Sequence, residues 1–222
     1  MDFLKILRSF EEFVFEATSW LIFYPLTMWR ILRRPLATMD YSDREQSDTD
    51  EKRYDDALSP PLVLLATIVL WNLIGIEAHV ADLEATSTAM KTLAASQQNL
   101  ILFRSLIFSL IPLIAAASLV HRQGKRLSRE TLRAPFYAQC YLAAPCVMVV
   151  SIGGIILRRA DIANPLGLAV MAMGATWFLA VQTLWFRNKL STSYLRAALI
   201  TLWATARALA VLLLVLLLLA IL

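Results

Sequence analysis

The chain has 222 residues, of which 59% are hydrophobic, and a mean hydropathy of +0.62. Soluble domains hold about 45–50% apolar residues, so this composition excludes a soluble globular domain and predicts an all-α, polytopic membrane helix bundle. The net charge of +4 and pI near 9.3 do not point to nucleic acid: the basic residues flank apolar runs, where anionic headgroups attract them, and no basic and aromatic module accompanies them.

From the amino terminus, Phe3, Leu7, Phe10, Val14, Ala17 and Leu21 recur at spacings of four and three, with Lys5, Ser9, Glu12, Glu16 and Ser19 on another face. That period predicts an amphipathic helix. Glu11, Glu12 and Glu16 interrupt the place where a signal peptide would carry its apolar region, so no cleavable signal is expected. The uncharged stretch from Ala17 to Trp29 is too short to span, and its aromatic residues beside Arg30, Arg33 and Arg34 suit the headgroup layer. The expectation is an interfacial helix on the cytoplasmic surface, packed against the spans, with a re-entrant or sixth crossing segment as the alternative. Residues 40–56 carry eight acidic residues, from Asp40 to Asp56, against Arg44, Lys52 and Arg53, which predicts a hydrated, flexible linker. Residues 1–57 therefore form a cytoplasmic region of amphipathic helix and acidic linker.

Five apolar runs follow, at about 60–79, 99–120, 135–157, 165–186 and 197–221. Ser59 before Pro60 and Pro61, and Asn164 before Pro165, mark helix starts. The short link from Arg158 to Asn164 makes the third and fourth runs antiparallel neighbours, and the longer gap around Glu84 and Lys91 has room for a short helix outside the membrane. Basic residues alternate in density between the gaps. Sixteen lie in the first 57 residues and the gaps 121–133 and 187–196, whereas the gaps 81–98 and 158–164 hold three. This positive-inside pattern predicts a five-helix transmembrane domain over residues 58–222, in an inner membrane, with the amino terminus cytoplasmic and the carboxyl terminus outside.

Ionisable residues inside spans are the candidate functional or assembly positions, because each is costly in hydrocarbon without a partner. They are Arg207, about ten residues into the last run, Arg104 in the second, and Glu77 near the end of the first. Arg207 should face other helices, with Ala197, Thr201, Ala204, Thr205 and Ala208 leaving room for a close neighbour. Arg104 and Glu77 share a depth at which an ion pair is open. Pro112, Pro145, Gly153 and Gly154 mark bends, a cavity or close packing. Cys140 and Cys146, six apart on one helix, point to different faces and read as small core residues. The two histidines, His79 and His121, fall on opposite sides of the membrane, and the chain has no glycine-rich phosphate loop, so no catalytic residue, metal or cofactor is expected.

The run Pro135-Phe136-Tyr137-Ala138-Gln139-Cys140-Tyr141-Leu142-Ala143-Ala144-Pro145, set in this five-span layout, resembles the third span of the Yip family of integral membrane proteins, whose bacterial relatives are often labelled permease-like. The chain departs from the family's eukaryotic members in lacking their glycine-tyrosine-glycine and Asp-Leu-x-Gly-Pro elements, and Leu58-Ser59-Pro60-Pro61 stands in the region of the latter. The resemblance implies a non-enzymatic protein that works through membrane lipids and through other membrane subunits or copies of itself. A subunit or scaffold assisting envelope or lipid-related transport is the first expectation, and a small oligomeric permease the second.

Overall fold

The computed structural model describes residues 3–46, 54–77, 96–158 and 164–221. These residues form seven helices: α1 (Phe3–Arg33), α2 (Pro35–Glu45), α3 (Pro60–Glu77), α4 (Gln97–Arg122), α5 (Arg129–Arg158), α6 (Asn164–Leu190) and α7 (Tyr194–Ile221). The architecture is an all-α bundle, and α4 to α7 are each long and apolar enough to cross a bilayer, which makes this a helical membrane protein. The apolar part of α3, Pro60–Gly75, measures about 24 Å at 1.5 Å per residue, against a hydrocarbon core of roughly 30 Å. Residues 78–95 and 159–163 lie outside the described residues, and with them His79 and the expected outer helix around Glu84 and Lys91.

Helix α5 is the hub, touching α1, α2, α3, α4 and α6. Its segment Ala138–Pro145 is buried without a break, because Ala138, Cys140, Ala143 and Ala144 are small enough to admit neighbours on several sides. Both cysteines are free thiols, Cys140 in the cluster shared with α1 and α3 and Cys146 against the one shared with α4, α6 and α7. The antiparallel pairing of α5 and α6 rests on two glycines: a Cβ on Gly153 would stand 2.8 Å from the Gly167 carbonyl oxygen, and a Cβ on Gly167 equally close to that of Gly153. Gly153 thus serves close packing, whereas Gly154 has open space beside it. Helix α7 buries one stripe, Ala197, Thr201, Ala204 and Ala208, against α4 and α6.

Helix α1 continues through Pro25 as a single element. The Leu58 N–H donates to Thr27 Oγ1 at 3.2 Å, and Tyr24 Oη lies 3.0 Å from Thr67 Oγ1. Thr67 spends its own proton on the Val63 carbonyl at 2.7 Å, so Tyr24 is the donor. Stepping back from Thr27 to Tyr24 on α1 therefore moves forward from Leu58 to Thr67 on α3, and this part of α1 runs alongside α3 in the opposite direction. Phe23, Tyr24, Met28 and Ile31 face the core, while Leu21, Ile22, Leu26 and Trp29 are exposed. A helix apolar on both sides suits lipid better than water.

The first part of the acidic stretch is helical where the sequence predicts a flexible linker, and residues 47–53 lie outside the described residues. Asp40, Asp43 and Glu45 belong to α2, and Ala57 and Leu58 are buried against the bundle. Counter-charges and phenols from distant parts of the chain relieve the like-charge repulsion that the local composition implied.

Candidate functional site

Two polar clusters stand out. The first lies between the spans. Arg207 of α7 donates from Nη2 to Ser118 Oγ of α4 at 2.6 Å, and Ser118 in turn donates to the Ile114 carbonyl at 2.6 Å, which fixes its hydroxyl as an acceptor for the guanidinium. Two turns away, Thr183 of α6 bonds Thr201 of α7 at 3.3 Å. Between these bonds a void of about 10 Å³ is lined by Ile111, Ala115, Phe178, Gln182, Ala204, Thr205 and Ala208. That is space for about one water. Both amide atoms of Gln182 are buried without a protein partner.

The second cluster ties the amino-terminal helices to the bundle. Arg30 of α1 donates to Asp56 Oδ2 at 3.0 Å, and the Tyr41 hydroxyl of α2 donates to Oδ1 at 2.6 Å. The Tyr41 bond, aided by Arg30, holds the Asp56 carboxyl below the usual carboxylate range, while burial and the neighbouring carboxylate push the Tyr41 phenol above its ordinary value. Tyr54 has φ 61°, a left-handed conformation costly for a bulky residue. It is held there by Glu45, which accepts its N–H at 2.6 Å, and by Gln46, which donates to its hydroxyl at 2.8 Å. Its ring lies 6.1 Å from Tyr41 and 6.4 Å from both Tyr137 and Tyr141 of α5. Tyr141 closes the cluster by donating to the Leu58 carbonyl at 2.7 Å. On the next helix, Lys189 of α6 bridges Asp40 at 2.9 Å and Asp43 at 2.8 Å with its ammonium over the Trp185 ring. The arrangement is a latch: phenols, of which Tyr141 is buried and the others half-buried, and paired charges fasten α1 and α2 to the ends of α5 and α6.

Of the residues singled out by the sequence, Arg207 does face another helix, through Ser118. Arg104 is half-buried on α4 and engaged in an interaction of its own. Glu77 ends α3, but its side chain lies outside the described residues, and so does the expected pair with Arg104. Pro112 and Pro145 sit buried inside continuous helices. Sequence reasoning missed the latch. The four-residue spacing of Tyr137 and Tyr141, one face of α5, was the signal that could have shown half of it. Among the described residues no group of three His, Cys, Asp or Glu side chains is placed to hold a metal ion.

Comparison of the chain with protein-family models, with curated proteins and with solved structures finds no match in any of the three.

Proposed function

We propose that this chain is a non-catalytic integral inner-membrane protein, a subunit or scaffold that assists envelope or lipid-related transport, with α1 as its docking element. One observation carries the reading. The latch fixes one end of α1 rigidly to the bundle, while farther along the same helix Phe10, Val14 and Phe15 are exposed beside Glu11. A rigidly rooted helix with an uncovered amphipathic stretch is suited to engaging another membrane subunit. The resemblance of residues 135–145 to the Yip family points the same way. Purification in mild detergent is expected to bring down a stable heteromeric partner, and Phe10→Asp with Phe15→Asp should release it while leaving the bundle folded. A homo-oligomer with a bound small molecule would overturn this reading in favour of a permease. That second reading is favoured by the polar residues between α4, α6 and α7, although their void holds only about one water.

The proposed topology puts the amino terminus in the cytoplasm and the carboxyl terminus outside. Cysteines introduced near Lys125 and Lys189 should be protected from an impermeant label in intact cells and one near Lys91 labelled. An amino-terminal reporter should be active only in the cytoplasm. Because part of α1 runs back along α3, export of that reporter would make α1 a sixth crossing helix.

A further inference from the structure

Arg207 is exposed on the outer surface of the bundle, on a strip of α7 that it shares with Trp203, Ala206 and Ala210. A guanidinium has five N–H donors, and one of them is used, on the neutral hydroxyl of Ser118. Among the described residues no carboxylate pairs with it. The helices around it thus supply no counter-ion among the described residues.

The position of that charge along the bundle decides what can reach it. The Cα of Arg207 lies about 20 Å along α7 from Tyr194. Helical side chains lean towards the start of their helix, however, and here that start lies beside the end of α4. Ser118 is one turn, about 6 Å, from the end of α4 at Arg122. The bond to Ser118 therefore draws the guanidinium from its Cα towards the end of the bundle where Arg122, Lys125, Arg126 and Arg129 are exposed. Basic residues at the end of a bundle attract anionic headgroups, and a guanidinium matches a phosphate with paired hydrogen bonds.

We propose that the α4–α7 surface binds the phosphate of an anionic phospholipid, with Arg207 as the phosphate ligand, Ser118 as the residue that positions it and Arg122 at the rim. Ser118 has no donor left for the phosphate, because its proton is committed to Ile114. Its role is to aim the guanidinium. The site requires only that the bundle be embedded in a membrane, so it holds for a scaffold and for a permease alike.

The full chain, purified in mild detergent, tests this by thermal unfolding and native mass spectrometry with added phosphatidylglycerol, phosphatidylcholine of the same acyl chains, or inorganic phosphate. Phosphatidylglycerol should raise the midpoint by about 3 °C and remain as a bound adduct, and the other two should do neither. Arg207→Leu should abolish the phosphatidylglycerol shift, Arg207→Lys should keep part of it, and Ser118→Ala should weaken it several-fold with the charge still present. Arg158→Leu, at the other end of the bundle, should leave it unchanged. Should Arg207→Leu not fold, photoactivatable phosphatidylglycerol on the unmodified chain decides: cross-links on α4 and α7 support the site, and cross-links spread over all helices overturn it. Equal shifts with phosphatidylcholine, or a full shift in Arg207→Leu, overturn the proposal. So does an equal shift with inorganic phosphate, which would indicate a free anion. An acidic protein chain cross-linked at position 207 in place of lipid would likewise replace it with a subunit contact.

Discussion

The most apolar windows of helices α5 and α7 are equally hydrophobic, yet 44% of that of α5 is buried in the bundle and only 17% of that of α7. Hydropathy measures transfer into hydrocarbon, which lipid and protein supply alike, so it cannot tell a hub from a periphery. Side-chain size separates the two. The buried stretch of α5 alternates Ala138, Cys140, Ala143 and Ala144 with Tyr141 and Leu142, and Gly153 lets α6 cross at backbone contact. In α7 the buried small residues form a single stripe, and its carboxyl-terminal half is mostly leucine, with Leu213, Leu214, Leu217 and Leu218 all more than half exposed. Position within a membrane bundle is thus written in where a helix can be approached.

The sharpest way to break this comparison is to enlarge a contact on the hub. Gly153→Leu places its side chain against the Gly167 carbonyl, a backbone atom that cannot turn aside, and should cost roughly 3 kcal/mol or abolish folding. Thermal unfolding of the purified variant in detergent checks it, and a loss under 1 kcal/mol would mean that α5 and α6 are not closely apposed. Tyr141→Phe should cost about 1–2 kcal/mol, because it leaves the buried Leu58 carbonyl without its donor.

The latch beside α5 adds a smaller, pH-dependent effect. The folded-state pKa of Asp56 is depressed, so its contribution is fully present above the ordinary aspartate value of about 3.9 and is lost as the pH falls through the folded value. Tyr41 has the opposite sign: its raised pKa keeps its contribution intact below the ordinary tyrosine value, and the contribution is lost as the pH rises through the folded value. Asp56→Asn should flatten the acid limb of a stability–pH profile below about pH 4. The amplitude should be small, since Asp56 is largely exposed. Leu213→Ala should have the least effect, under about 0.5 kcal/mol, because lipid fills whatever the leucine vacates. A loss above 1 kcal/mol would reveal an interface on α7 that covers this residue.

The four spanning helices α4 to α7 were legible because each rests on a local property, an apolar run of sufficient length with few charges. The stripe on α7 was legible for the same reason, since Ala197, Thr201, Ala204 and Ala208 recur at helical spacing. The latch was not, because its members come together only in the fold. Tyr141 meets Leu58 across 83 residues and Lys189 meets Asp40 across 149, so residues 40–46, read locally, looked too charged to order. The partner of Arg207 was hidden likewise. Ser105, Ser109 and Ser118 all lie on α4 and each bonds a carbonyl one turn back; only the register of α4 against α7 selects Ser118.

The shortness of α3 bears on the surrounding membrane. Its apolar part of about 24 Å stands beside α5, which is about 45 Å long, in the same bundle. Were α3 to reach both interfaces, the bilayer would have to thin on that flank while α5 tilts or projects beyond it, giving a local thickness gradient. Such a shape sorts by acyl-chain length: bilayers of shorter chains relax the strain at α3, and thicker ones leave that side of the bundle the most costly to immerse.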